Sequence, residues 1–282
     1  MISVLTLVKN RTDHLNNLVE GLRRSTVAPA ELVIVDMSDP PVPRMVADFP
    51  ITLIRLETDG LPLAQARNLA AASAGTDRLL FLDVDCIPGS DLVAAMASAL
   101  DNQDALICAE VRYLASGDTK DGDWCEVSLK AAGLPHPVRR FPACGLAREP
   151  NYGLFWSLAF GISSAAFARI GGFDEGFTGY GAEDTDFAFR AREACLKLLF
   201  LGGASAYHQY HGVVDPPLQH FIDIVRNAQL FHGKWGVWPM EGWLESFVNR
   251  GFVNRSSDAL SIIRHPSMRD VDVATCPRHQ RF

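Results

Sequence analysis

The chain has 282 residues, 48% apolar and 21% charged, a balance that lets a globular protein bury its own core without staples. Its net charge of −7 argues against nucleic acid as a partner. The six cysteines (Cys86, Cys108, Cys125, Cys144, Cys195 and Cys276) include no CxxC pair, so a zinc site or disulfide framework gives way to reduced, buried thiols.

The opening MISVLTLVKN has no basic n-region, and its apolar run is too short for a signal sequence. No stretch approaches a membrane span. A cytoplasmic protein of bacterial style is expected. Residues 2–8 predict a buried strand. Thr12 is the expected N-cap of a helix whose Leu15, Leu18, Val19 and Leu22 share one face. Strands are predicted at 31–35 and 51–56, a helix at 63–74, and an apolar strand at 78–82. A helix over 91–100 and a strand near 105–109 follow. This alternation predicts an α/β fold with a mostly parallel sheet flanked by helices, with ligands beyond the carboxyl ends of the strands.

The stretch 112–153, rich in Gly, Pro and charge, predicts long loops with a short helix near 123–132. Within it Arg139, Arg140 and Arg148 make a basic loop that reads as a solvated face, with an anionic acceptor as the alternative. A strand is predicted at 198–201, closed by a Gly202-Gly203 turn, and helical periodicity returns at 216–232 and 239–249. From Arg264 onward the pattern fades into a loosely held tail.

Two acidic clusters carry the chemistry. Asp83-Val84-Asp85 stands at the end of the 78–82 strand, where extended backbone points residues i and i+2 the same way. Two carboxylates on one side suit a hard divalent cation that shares its other sites with phosphates. About ninety residues on, GGFDEGFTGYGAEDTDFAFRARE delivers Glu183, Asp184 and Asp186 to the start of a helix. Complementing the helix dipole would explain acids in a first turn. It would not explain the glycines and aromatics packed just before them. A metal plus a base can expel a phosphate leaving group and activate a hydroxyl.

Together these clusters resemble the GT-A fold glycosyltransferases, in particular family 2-like enzymes. The acidic helix start is similar to the C-terminal motif of galactosyltransferases and polypeptide N-acetylgalactosaminyltransferases. The resemblance covers about residues 1–235, with a nucleotide-binding half to 110, an acceptor and catalytic half beyond, and a helical extension and tail from 236 to 282. It implies a nucleotide-diphosphate sugar donor, UDP-linked sugars among the candidates, an acceptor hydroxyl, and Mn²⁺ or Mg²⁺.

The resemblance also implies roles. Thr6, Asn10 and Arg11 contact the nucleotide, Asp36 holds the base or ribose, and Arg67 faces the diphosphate. Asp83 and Val84 lie on the ribose or metal side, and Asp85 is the direct metal ligand. Asp184, backed by Glu183, is the general base of inverting members. His208, with His211 as second choice, completes the metal site, and imidazole beside carboxylate favours Mn²⁺. Trp156, Tyr180 and Gly181 are the acceptor-side residues; core packing is the alternative for the aromatics nearby.

A retaining transferase and a non-catalytic sugar-nucleotide binder are the competing readings. A nicotinamide dehydrogenase is excluded, because VKNRTD after the first strand has no glycine. Oligomerisation is compatible with the aromatic C-terminal third.

Overall fold

The structure, a computed structural model, describes residues 1–119 and 122–277. Apolar strands β1 (Ser3–Val8), β2 (Glu31–Asp36) and β4 (Arg78–Leu82) are buried on both faces, as central parallel strands must be. The more exposed β3 (Ile51–Arg55) takes the edge. Beyond β4 the sheet continues through β9 (Ala159–Ser163), β6 (Ala105–Tyr113), β10 (Lys197–His208) and β5 (Cys86–Pro88), giving the order β3-β2-β1-β4-β9-β6-β10-β5. β9 and β5 run antiparallel to their neighbours, and the other pairs along this path are parallel. Two short strands, β7 (Leu134–Pro135) and β8 (Gly145–Arg148), pair with β6 and β10, so the predicted 112–153 loops carry strand segments; residues 120 and 121 lie outside the described residues.

Alternation along β1 divides the core. Val4 and Val8 pack with α1 (Thr12–Arg23) and α3 (Leu92–Asn102) on one face. Leu5 points to the other, under α2 (Leu63–Ala72), α5 (Ser164–Ile170) and α6 (Glu183–Glu193). There Phe81 stacks on Phe160 at 4.5 Å and Phe173 on Phe187 at 4.2 Å. α4 (Glu126–Ala132) covers a smaller cluster with Trp124 and Tyr207.

Four expectations change. Thr12 is the first helical residue rather than the cap; Arg11 occupies that position without a side-chain cap bond. The Gly202-Gly203 pair is no turn. It forms a bulge inside one long strand, where β10 shifts register against β6 between Leu201 and Ser205. Only Cys86 and Cys108 are buried, whereas Cys125, Cys144 and Cys195 are exposed; all six are free. The tail is held: α9 (Met268–Ala274) starts in a Ser267–Asp270 capping box, and Thr275 bridges to Val214. Residues 278–282 of that tail lie outside the described residues. Helix α7 (Phe221–Trp235) shares a separate apolar cluster with α8 (Glu241–Asn249), the β11 (Val253–Arg255)–β12 (Leu260–Ile262) hairpin and α9. Among the described residues no helix is long and apolar enough to cross a membrane.

Candidate active site

The carboxyl ends of β1, β4, β6 and β10 converge, and antiparallel pairing does the fine placement. In the β5–β10 ladder His208 sits opposite Cys86, and the Gln209 amide continues it to the Asp85 carbonyl at 2.7 Å. That register sets His208 beside Asp85, and His211 follows three residues on. The ligand atoms of Asp85, His208 and His211 lie within 4.8 Å of one another. Burial lowers His208 to about 4, so its imidazole is neutral with a free lone pair at pH 7. Burial lowers His211 as well. One carboxylate and two neutral imidazoles fit a divalent transition cation.

The Asp85 carboxylate already has two close partners. Arg11 pairs with Oδ2, and His14 Nδ1 meets Oδ1 at 2.6 Å. Burial opposes ionisation of Asp85, but His14 and Arg11 overcome it and hold the group well below the usual carboxylate range. Asp83 behaves oppositely. Burial, then the Asp85 charge, raises it to about 6, against the pull of Arg67 and Arg11.

The acids at the start of α6 have different partners. Gly179 takes a positive φ of 75° where α7 comes so close that a Cβ would lie 2.1 Å from Asp223; this leads the chain tightly into the helix. Asp186, 0% exposed, accepts from Arg190 Nε at 2.8 Å and Trp235 Nε1 at 3.0 Å, and Lys234 Nζ lies 2.6 Å away. Glu183, 6% exposed, pairs with Arg67 at 3.0 Å. Asp184 has no ion-pair partner among the described residues. It accepts only from the backbone and hydroxyl of Thr185. Burial, then the Glu183 charge, raises it to about 6.

The remaining predicted residues divide. Tyr180 stacks on His220 at 4.6 Å, and burial with the Glu183, Asp184 and Asp83 charges pushes its phenol up, so it borders the acids. The Gly181 carbonyl accepts from Asn227 at 2.9 Å. Trp156 meets His136 edge-on at 4.7 Å, and Tyr113 lies between His136 and His208 at 5.8 and 5.0 Å. Val84 is buried, its amide bonded to Asp83 Oδ1. Asn10, at φ 56°, accepts from the Asp39 amide at 2.8 Å and fixes the β1 and β2 loops together. Asp36 is buried with both oxygens engaged, by the Ser38 and Val42 amides and Arg55, so it organises its own loop. Thr6 lies inside β1, paired to Ile34, rather than at the strand end. Arg67 is turned to Glu183 over the Phe173 ring, 5.0 Å from its centroid.

The family model described as glycosyl transferase family 2 matches residues 3–171, more than half of the sequence. The chain belongs to glycosyl transferase family 2. A second model, described as the N-terminal domain of galactosyltransferase, matches residues 145–212, which hold the α6 acids, His208 and His211. Validoxylamine A glucosyltransferase of Streptomyces hygroscopicus subsp. limoneus is 28% identical over 217 residues, 67% of this chain and 47% of that protein. Hyaluronan synthase of Pasteurella multocida is 23% identical over 245 residues, 77% and 25% of the two chains. The chain thus spans less than half the length of these curated relatives. S. aureus TarS 1–349 in complex with UDP-GlcNAc superposes with a TM-score of 0.59 at 16% identity, covering 89% of this chain and 72% of TarS. GalNAc-T7 with UDP, GalNAc and Mn²⁺ gives 0.54 at 15% identity, covering 88% and 56%. These likenesses establish the GT-A fold.

In this family 2 member two residues beside Asp85 escaped the sequence. His14 contacts Asp85. Gln209, fully buried, donates to the His14 carbonyl at 3.1 Å and accepts from Asn17 at 2.7 Å. Arg11, His14 and Asn17 recur at i, i+3 and i+6, a polar stripe beside the apolar one, which was the available signal. Arg139, in the basic loop that reads as a solvated face or an anionic-acceptor contact, is 4% exposed.

Proposed function

We propose that this chain transfers a sugar from a nucleotide-diphosphate donor to an acceptor hydroxyl, with inversion, using Asp184 as general base. The observation that carries the reading is the division of labour among three neighbouring acids. Asp186 and Glu183 are compensated by Arg190, Lys234 and Arg67, while Asp184 keeps a carboxylate without a counter-ion. A base poised near 6 is ionised at neutral pH and still basic enough to accept a proton. The acceptor oxygen attacks the anomeric carbon from the face opposite the diphosphate. The carbon–oxygen bond to the diphosphate breaks, and the hydroxyl proton passes to Asp184.

Asp85, His208 and His211 would hold a divalent cation, Mn²⁺ favoured by the imidazoles. Bound there, it would supply positive charge for the departing diphosphate. Arg11 lies beside the same carboxylate and adds a guanidinium suited to phosphate oxygens. Tyr180 and Trp156 offer aromatic faces for sugar rings on the acceptor side. The donor named with TarS, and the UDP and Mn²⁺ named with GalNAc-T7, support this reading.

The test is a thermal-shift panel of UDP-, GDP-, dTDP- and ADP-sugars with and without Mn²⁺. A ligand that binds only the folded state raises the melting temperature. The product formed with the stabilising donor is then examined by NMR. An inverted anomeric centre is expected. A retained one refutes the Asp184 mechanism, and no response to any donor refutes the transferase reading.

A further inference from the structure

Arg139 lies between β7 and β8, where its guanidinium is enclosed by three rings. It sits 4.9 Å from the centroid of Trp156, 5.1 Å from Phe141 and 5.3 Å from Phe200. Its Nε and Nη2 are buried without a hydrogen-bond partner. Among the described residues no carboxylate forms an ion pair with it. The Cys108 thiol is a side-chain hydrogen-bond partner of Arg139, but burial raises it to about 11 despite the Arg139 charge, so the sulfur is neutral and offers no counter-ion. Aromatic faces stabilise a cation but leave the Nε and Nη2 N–H groups unanswered. A buried charge without a partner is costly, and proteins keep one where something else completes it.

The position is held firmly. Behind Arg139 the chain crosses β10 so closely that a Cβ on Gly202 would lie 1.7 Å from the Pro142 carbonyl oxygen. The location borders the candidate site where the strand ends converge. Trp156 connects through His136 and Tyr113 to His208, and Cys108 feels the charges of both Arg139 and Asp184.

We propose that Arg139 is an anion receptor bordering that site, its planar fork taking phosphate or carboxylate oxygens of a substrate. This rests on reading the site as one of sugar transfer. Two sources supply that chemistry, the diphosphate of the donor and an anionic group on the acceptor.

Arg139→Met keeps the length and the apolar stem and removes every N–H. In EDTA, inorganic pyrophosphate should raise the melting temperature of the full wild-type chain saturably. Half-saturation should rise at least tenfold in the variant. The unliganded variant should melt no earlier than wild type, because an unpaired buried cation has gone. No saturable response in wild type, or an unchanged one in R139M, overturns the proposal. An early-melting variant with an intact pyrophosphate response shows a packing role only and also overturns it. If R139M does not fold, Arg139→Lys keeps the charge without the fork. Its half-saturation should rise several-fold, and a wild-type value overturns the proposal.

Calorimetry with UDP and Mn²⁺ separates the sources. A tenfold or greater loss of UDP affinity in R139M assigns the site to the donor diphosphate. Unchanged UDP affinity with a lost pyrophosphate response assigns it to the acceptor. Failure of wild type itself to bind any nucleotide refutes the transferase reading and not the receptor.

Discussion

Arg67 and Glu183 form a buried ion pair 3.0 Å long, reaching from α2 to the first residue of α6, and it leaves the next residue, Asp184, alone with its charge. The pair and the lone acid therefore respond differently to loss of charge.

Asp184→Asn keeps the size of the side chain and removes its basicity. Turnover should fall roughly 10²–10⁴-fold, with donor affinity unchanged by calorimetry. The melting temperature at pH 7 should stay level or rise, since Asn carries no buried charge. Near-wild-type turnover would move the base elsewhere.

Glu183→Gln should do the reverse. It strands the Arg67 guanidinium, 7% exposed, and removing one partner of a buried pair costs on the order of 3–5 kcal/mol. Urea unfolding should show the loss. A variant as stable as wild type would mean that Arg67 finds another partner.

The raised Asp184 gives a pH signature. A base must be ionised, so the rate should plateau above pH 6 and fall about tenfold per unit below it. Stability has the opposite sign. A carboxyl raised from 3.8 to about 6 on folding contributes stability at low pH that is lost as pH rises through 6. The stability advantage of Asp184→Asn should therefore be present at pH 7 and vanish below about pH 4. A pH-independent difference would contradict the assignment.

Asp85→Ala should abolish Mn²⁺-dependent UDP binding while far-UV circular dichroism stays unchanged. His208→Ala should weaken it strongly. A metal-bound crystal structure in which neither His208 nor His211 approaches the cation would remove the histidines from the site.

Arg11→Ala should separate two effects. With the guanidinium gone from Asp85 Oδ2, Mn²⁺ alone should bind several-fold more tightly by calorimetry. UDP in the presence of Mn²⁺ should bind more weakly. Unchanged Mn²⁺ affinity would show that Arg11 does not compete for the carboxylate.

The sheet, its helices and both acidic clusters were legible because period and position carry them: apolar runs for β1, β2 and β4, and carboxylates at a strand end and a helix start. Pairings made across the chain were not legible. Nothing near Arg67 in sequence announces Glu183, 116 residues away. The resemblance, not the local pattern, singles out Asp36, and the amides of its own loop that bond both its oxygens show in no periodicity. The Gly-Gly pair in β10 signals a turn by composition, while neighbours on both sides hold it in the sheet as a bulge. Arg139 sits in a charged, proline-rich stretch, and only tertiary packing against Trp156 and Phe200, beside its neighbour Phe141, buries it.

The pairing of β5 with β10 makes the Asp85–His208 juxtaposition a matter of register. Side chains alternate along a strand, so a one-residue slip would turn His208 to the opposite face and carry Asp85 away from it. A strand of three residues has few bonds of its own with which to enforce that choice. A cation bridging Asp85 and His208 would act as a rivet between the two strands. Metal affinity would then report whether the sheet edge has closed in frame, and chelation should loosen amide protection at Cys86 and His208 before it disturbs β1 or β4.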